Sequence, residues 1–504
     1  MRNSGRWIAL RDPRVHAPVT QRNWIGAAIG LALCSTALLS CSGGSKSDQS
    51  KSQEAASALQ WTHAAEKQML DAIANAPANG LKPELFLKGD LPKDDAERAS
   101  VLTGAALRYA EALAHGYADP TKLTKDYTIP RPNIDVRQGL AQAIRNGNVG
   151  EWLASLPPQT DEYRELSQAQ MKYLALAAAA KGAQVPGGKP IRPGQRDPRV
   201  PQLSAALIAN AYLPGPGGPN AQQSYSGAMV AAVRRMQGDY GLKPDGVISA
   251  DTLMILNAGA GYRARQIAVA LERLRWLERT PPATRIDVNT AASFLDYWRG
   301  GAHVIQLRVI NGQPDESATP QIQSPLFQLV ANPNWRVPDR ILEDELSKKS
   351  AAYLAANDFT WRDGRLIQLP GDKNSLGQVK FDMRDPQQIY LHDTPFKSWF
   401  ATDNRHRSHG CVRVQDAVNF AFQLASEDGV QDKFQEALAS GEESYVKLRR
   451  EIPVRLFYHT AYWDGTRLVF VSDIYGWDDN VARALGLEPG PPRAAFHRQE
   501  DVGP

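Results

Sequence analysis

Gln388-Ile389-Tyr390-Leu391-His392, then 15 residues, then Ser408-His409-Gly410-Cys411-Val412-Arg413: a short apolar strand ending in a histidine, followed by a loop that carries a cysteine. The chain has three cysteines, and the other two, Cys34 and Cys41, lie in an N-terminal segment that reads as an export signal. Cys411 is therefore unpaired in the mature protein, and three of the nine histidines (His392, His406, His409) fall in its window. Attack on a carbonyl requires a thiolate, and an ordinary cysteine is only slightly ionised at neutral pH, so a neighbouring base must take the proton. His409 is packed too tightly against Cys411 in sequence to serve the leaving group as well. His392, brought in from a strand end, can turn one ring nitrogen to Cys411 and give the other to a backbone carbonyl such as that of Asp393. His392 is the expected base, Cys411 the expected nucleophile. Gly410 permits close backbone approach, so amides around Gly410 and Cys411 are expected to face the oxyanion, with His409 shaping the loop. Two other readings compete. His392, His406, His409 and Cys411 include zinc-ligand types, but their spacing matches no usual zinc pattern and supplies one thiolate, so no metal or cofactor is expected. A buried inert cysteine is the other, and Ser, Gly and Arg are poor core neighbours for one.

Outward from this motif, alternation predicts strands at Ile305-Leu307-Val309, Val379-Phe381-Met383 and Val454-Leu456-Tyr458, making a mostly β domain over 284–480. An interval at 339–376, helical from Ile341 to Ala356 and then rich in turns, interrupts the strands as a candidate lid. Upstream, Leu102, Ala106, Tyr109 and Leu113, and again Tyr163, Leu166, Tyr173 and Leu176, recur at helical spacing and predict a helical scaffold over 57–185. Pro186-Gly187-Gly188 to Arg192-Pro193-Gly194 marks a boundary. Beyond it, 192–258 reads as a three-helix module with faces at Leu203-Leu207-Ala211 and Met229-Val230-Val233-Met236, a helix stop at Gly241, and an Asp245-Gly246 turn. A Pro-Gly insertion at 214–219 separates its first two helices. A charged amphipathic helix near 262–279, in a linking segment 259–283, joins it to the β domain, and 481–504 is a tail. The fold class is multi-domain α+β.

The first 40 residues combine an arginine-rich start with an apolar run from Trp24 to Leu39, too short for a comfortable membrane span. Leu38-Leu39-Ser40-Cys41 resembles a lipoprotein box with Cys41 as the lipidated first residue, and 41–56 as a flexible tether. Ordinary secretion with nearby cleavage is the alternative. Either places the protein outside the cytoplasm, where an unpaired thiol calls for a reason. Lys+Arg 58 against Asp+Glu 54 is nearly balanced and no basic cluster interleaves with aromatics, so no nucleic-acid partner is expected.

Arg196-Asp197-Pro198, Tyr225-Ser226-Gly227 and Gly241-Leu242-Lys243-Pro244-Asp245-Gly246 resemble the peptidoglycan-binding domain of cell-wall enzymes. His392 with Ser408-His409-Gly410-Cys411 resembles the YkuD-type L,D-transpeptidase family. Tyr390-Leu391-His392-Asp393-Thr394-Pro395, Asn332-Pro333-Asn334-Trp335-Arg336-Val337-Pro338 and Tyr458-His459-Thr460-Ala461 are similar to its large multi-domain branch. The resemblance implies a YkuD-like catalytic domain, with Cys411 attacking the L,D-peptide bond of a tetrapeptide stem, releasing D-alanine and leaving a thioester. A second stem's amine, deprotonated by His392, would then close a 3→3 cross-link. It also implies substrate contacts at Ser408, Arg413, Arg405, Tyr390 and Trp335, peptidoglycan as partner, the periplasm of a Gram-negative bacterium as location, and carbapenems as pseudo-substrates. The same acyl-enzyme can pass to water or to a lipoprotein lysine. A non-catalytic lipid-anchored wall-binding protein is the reading that would need neither His392 nor Cys411.

Overall fold

The computed structural model describes residues 59–124, 126–179, 184–215, 224–225, 227–239, 242–402 and 404–490. The expected signal segment 1–40, the tether 41–56 with Cys41, the helix stop at Gly241, Ser226 and most of the 214–219 insertion lie outside the described residues. Among the described residues no helix is long and apolar enough to cross a membrane.

The scaffold is helical because its apolar stripes have caps to start them. Helix Asp95–His115 begins on Asp94, whose carboxylate accepts the Glu97 amide, and it buries Leu102, Ala106, Tyr109 and Leu113. Helix Asp161–Ala179 buries Tyr163 and Leu166 but leaves Met171 and Leu174 exposed. The scaffold core also takes in Trp276 from the linking segment and Val481, Ala482 and Leu485, so the start of the expected tail is packed into the far end of the chain.

In the middle module, Tyr225 donates to the Gly246 carbonyl at 2.6 Å, and Gln237 brackets the same turn by accepting from the Gly246 amide at 2.8 Å and donating to the Val247 carbonyl at 2.9 Å. The third helix and the linking helix are separate, as expected: the helical run Ala250–Trp276 is broken at Gly259, whose φ of 70° and ψ of −170° are non-helical and adopted cheaply only by glycine, and the linking helix starts after it. Its later turns are not amphipathic with charge outward. Arg263, Glu272, Arg273 and Arg275 are all buried, Glu272 pairing with Arg275 and Arg273 with Asp478, each at 2.5 Å. An apolar stripe at Ile267, Leu271 and Leu274 cannot reveal that scaffold and β domain cover the opposite, charged face.

The C-terminal domain contains strands β1 (Arg285–Asn289), β2 (Phe294–Arg299), β3 (Ala302–Gly312), β4 (Ile322–Ala331), β5 (Trp335–Arg336), β6 (Phe359–Arg362) and β7 (Arg365–Gln368). They are followed by β8 (Val379–Met383), β9 (Leu391–His392), β10 (His406–Ser408), β11 (Val412–Val414), β12 (Ser444–Phe457), β13 (Ala461–Trp463) and β14 (Leu468–Phe470). Nine strands form one sheet in the order β10-β3-β11-β9-β8-β4-β12-β1-β2, and β2 also pairs with β3. Its core, including Val309, Leu329, Phe381, Leu391, Val412 and Val454, is covered by helices Ala417–Glu427 and Gln431–Ala439 through Phe420, Leu424 and Phe434.

The interval 339–376 has its own small core: Trp335, Val337, Ile341, Leu346, Phe359, Leu366 and Leu376. Two short helices, Asp339–Asp344 and Ala351–Ala356, precede a β6–β7 hairpin that pairs with β5 in a three-stranded sheet. The stretch expected to be merely turn-rich therefore contains two strands. Asp363 and Gly364 both have positive φ (49° and 75°), the two-residue turn whose twist suits a hairpin.

Candidate active site

The site is assembled by one strand pairing. β9 runs parallel to β11 with Leu391 opposite Val412 and His392 opposite Arg413, and the Val412 amide donates to the Tyr390 carbonyl at 3.1 Å. Cys411, immediately before β11, is thereby set beside Tyr390, two residues before His392 and on the same face of the strand, across 15 intervening loop residues and the Ser408–Gly410 turn. The Cys411 thiol donates to the Gln388 carbonyl at 3.8 Å and interacts with Tyr390, which packs edge-on to the His392 ring at 5.7 Å.

His392 is fully buried, and its Nδ1 makes a short hydrogen bond with the Asp393 carbonyl. A carbonyl only accepts, so Nδ1 carries the proton and the lone pair is on Nε2. That Nε2 is buried with no hydrogen-bond partner. Leaving a buried polar nitrogen unmet costs about 1–3 kcal/mol, which a fold tolerates where the atom has another use. Burial first, and then the Arg413 guanidinium, hold the imidazole well below its ordinary value, so it is neutral and able to accept a proton. Burial likewise pushes the Cys411 thiol up to about 11, with the Tyr390 hydrogen bonds pulling the other way. The resting pair is neutral on both sides.

The loop before Cys411 is held by a chain of buried hydrogen bonds. Ser408 Oγ donates to the Cys411 carbonyl at 2.6 Å and accepts the Gly410 amide at 3.2 Å. Thr319 Oγ1 donates to the Gly410 carbonyl at 2.9 Å and accepts the Gly312 amide at 2.9 Å. Tyr475 closes the chain by donating to the Gly312 carbonyl at 2.8 Å. Gly410 has φ of 125°, so a side chain there is strained, and a Cβ on Gly312 would sit 1.8 Å from the Ser317 carbonyl oxygen. The Gly410 amide was expected to face an oxyanion, but Ser408 takes it. The Cys411 amide has no hydrogen bond among the described residues and is the backbone donor left for that position.

The other expected residues are placed variously. His409 Nε2 meets Glu345 of the 339–376 interval at 2.8 Å. Arg413 is buried, its guanidinium 5.6 Å from the Trp399 ring, rather than in a surface salt bridge. Arg405 reaches away from solvent to the carbonyls of Thr402 and Ala292 at 3.1 and 3.2 Å, and lies over Phe294. Trp335 is buried in the small core it shares with the 339–376 interval. His406 is no solvated charge: its Nε2 meets the Thr290 carbonyl at 2.8 Å, and burial lowers it to about 4. Thr319, Gly312 and Glu345 had no signal in the sequence, because each acts through a contact far along the chain, whereas Tyr475 stands in Asp473-Ile474-Tyr475-Gly476, a stretch similar to the family's large multi-domain branch. No group of histidine, cysteine and carboxylate side chains among the described residues is arranged to hold a metal ion.

Comparison with known proteins fits this geometry. Residues 283–431 match the L,D-transpeptidase catalytic domain of the YkuD family, 53–169 a scaffold domain, and 196–256 a domain described as "Putative peptidoglycan binding domain". The chain carries a YkuD-type L,D-transpeptidase catalytic domain together with a peptidoglycan-binding domain, on a multi-domain α+β framework. A protein of Haemophilus influenzae named "Putative L,D-transpeptidase" is 32% identical over 221 residues, 39% of this chain and 45% of that protein. The match thus spans less than half of that relative's length. Solved L,D-transpeptidases of Stackebrandtia nassauensis and Mycobacterium smegmatis align at 14% and 13% identity with TM-scores of 0.22 and 0.20. They cover 55% and 35% of this chain and 97% and 58% of their own, and at those TM-scores carry no weight.

Proposed function

We propose that the chain is a cysteine-dependent L,D-transpeptidase of the bacterial cell envelope, acting on peptidoglycan stems. The unpartnered Nε2 of His392, on a strand registered against the one that follows Cys411, carries the reading. A donor stem entering beside Cys411 brings its scissile carbonyl to the thiol, and the proton passes to His392 Nε2 as sulfur attacks. The Cys411 amide and the Tyr390 hydroxyl offer hydrogen bonds to the developing oxyanion, one such donor being worth about 3 kcal/mol. Collapse expels D-alanine, which takes the proton from His392, and leaves a thioester. The neutral imidazole then deprotonates the side-chain amine of an acceptor stem, whose attack gives the 3→3 cross-link and returns the thiol. Water or a protein lysine in place of that amine gives carboxypeptidase or tethering chemistry on the same acyl-enzyme.

The 196–256 module would hold the polymer, and Cys41, if lipidated, would tether the enzyme to the membrane facing it. Each acyl methylene buried in a bilayer is worth about 0.8 kcal/mol. Incubating sacculi with the wild-type protein and with Cys411→Ala, followed by mass analysis of muropeptides, tests the enzymatic reading. Identical products from both defeat it. A covalent carbapenem adduct on the intact wild-type protein, missing from Cys411→Ala, is the expected companion result.

A further inference from the structure

Where scaffold, linking helix and catalytic sheet meet, a pocket of about 260 Å³ opens between Pro158–Glu162, Leu274–Pro281, the neighbouring strands β12, β1, β2 and β3, and the β13 hairpin. Aromatic side chains line it, among them Phe294, Phe457, Tyr462 and Trp463. Its three guanidiniums are already engaged. Arg285 and Arg455 both bind Asp287, at 2.7 Å each, and Arg279 donates to backbone carbonyls that include Leu277 at 3.0 Å. An anionic ligand would find no uncommitted positive charge there. The groups left over are neutral donors and acceptors, the latter including the carboxylates of Glu278 and of Asp296, which accepts from Gln306 at 3.0 Å. Glu162 accepts only the Trp463 amide, at 3.4 Å, and His459 and Tyr462 make no side-chain hydrogen bond among the described residues. Burial pushes Glu162 up to about 7 and His459 down to about 3, so neither presents a firm charge at neutral pH. Aromatic faces with scattered carboxylate acceptors and neutral donors in a concave site suit an uncharged, hydroxyl-rich ring whose hydroxyls donate to the acceptors and whose apolar C–H face stacks on the aromatics.

We propose that this pocket is a carbohydrate subsite that holds one sugar residue of the glycan strand whose peptide stem is presented to Cys411. The proposal rests on the reading of the chain as a peptidoglycan transpeptidase and adds a contact that the catalytic loop does not make. The rim of the pocket is wired to that loop. The β1–β2 turn carries Asn289 and Ala292 into the lining, and through Thr290 and Ala292 it accepts hydrogen bonds from His406, at 2.8 Å, and Arg405, at 3.2 Å, at the start of the strand entering Ser408. A sugar seated on β1 and β2 would therefore bear on the segment that positions Cys411.

The test compares two donors with the full chain: a free tetrapeptide, and the same tetrapeptide on its disaccharide, each followed by D-alanine release in wild type, Trp463→Ala and Glu162→Gln. Trp463→Ala removes an aromatic face, and Glu162→Gln keeps shape while changing the acceptor. The expected result is a KM for the disaccharide-linked donor raised about tenfold in Trp463→Ala and severalfold in Glu162→Gln, with kcat and free-tetrapeptide turnover unchanged. Saturation-transfer NMR with the peptide-free disaccharide should show sugar-ring signals in wild type that weaken in both variants. Equal KM values for the linked donor in all three proteins, or sugar signals indifferent to both variants, overturn the subsite and assign any glycan binding to the 196–256 module. Absence of D-alanine release from either donor by wild type defeats the transpeptidase reading instead.

Discussion

Thr319→Val offers a sharp test of how the nucleophile loop is held. Thr319 is fully buried, and its hydroxyl bridges the end of β3 and Gly410, at 2.9 Å on each side. Valine has nearly the same shape, so packing is kept while the Gly312 amide and Gly410 carbonyl both lose a partner. Each buried group left unmet costs about 1–3 kcal/mol, so the variant should lose about 2–6 kcal/mol of stability in the catalytic domain. Relaxation of Gly410 toward another partner would displace Cys411, and a shift of about 1 Å costs on the order of a hundredfold in rate. Urea denaturation followed by circular dichroism reads the first quantity, and the rate of carbapenem acylation by intact mass reads the second. Thr319→Ser keeps the hydroxyl and should recover most of the acylation rate. A Val variant within about 0.5 kcal/mol of wild type and acylating at the same rate would show that the hydrogen-bond chain does not position the loop.

His392→Ala should abolish acylation, whereas His409→Ala should keep a measurable rate, and equal retention in both would overturn the choice of base. Because His392 is held well below 6.5, the acylation rate should stay level as pH drops through 6.5, where an unperturbed histidine would already have lost half its base form; a midpoint at 6.5 refutes the buried neutral imidazole. For stability, His406 stays neutral when folded down to about 4 and takes a proton near 6.5 when unfolded. Acid therefore favours the unfolded chain, and about 3 kcal/mol should be lost between those values with no further loss from this group below 4. Denaturation midpoints across pH 3–8 for wild type and His406→Asn check this, the variant showing the shallower acid limb. Glu345→Ala removes the 2.8 Å contact from the 339–376 interval to His409, and hydrogen exchange over that interval should quicken; unchanged exchange would mean that the interval's own core holds it down.

The nucleophile and its base can be picked out of the sequence because their chemistry is local: a lone thiol in a Gly-containing loop, and a histidine at the end of an apolar strand. The strands at Leu307, Phe381 and Leu456 follow from alternation. The Thr319 node is invisible because a threonine between Ala318 and Pro320 has no pattern; its role exists only once β3 and the Cys411 loop are side by side. Burial of Arg263, Arg273 and Arg275 is hidden for the opposite reason. Their charge reads as solvent-facing, and only the packing of two domains on one helix, with Glu272 and Asp478 as partners, makes it internal. The β6–β7 hairpin did leave a trace, since Asp363-Gly364 stands between Thr360-Trp361-Arg362 and Arg365-Leu366-Ile367.

The parallel pairing of β9 with β11 fixes His392 against Cys411 by the backbone alone, which frees the chain between them from that task. Residues 394–404 carry a stacked Phe396–Trp399 pair at 4.3 Å, and between the buried anchors Thr394 and Phe400 the exposed Phe396 and Lys397 can be exchanged while the two reacting side chains keep their register. New preferences for donor or acceptor could thus be grafted beside a reaction centre that need not be rebuilt.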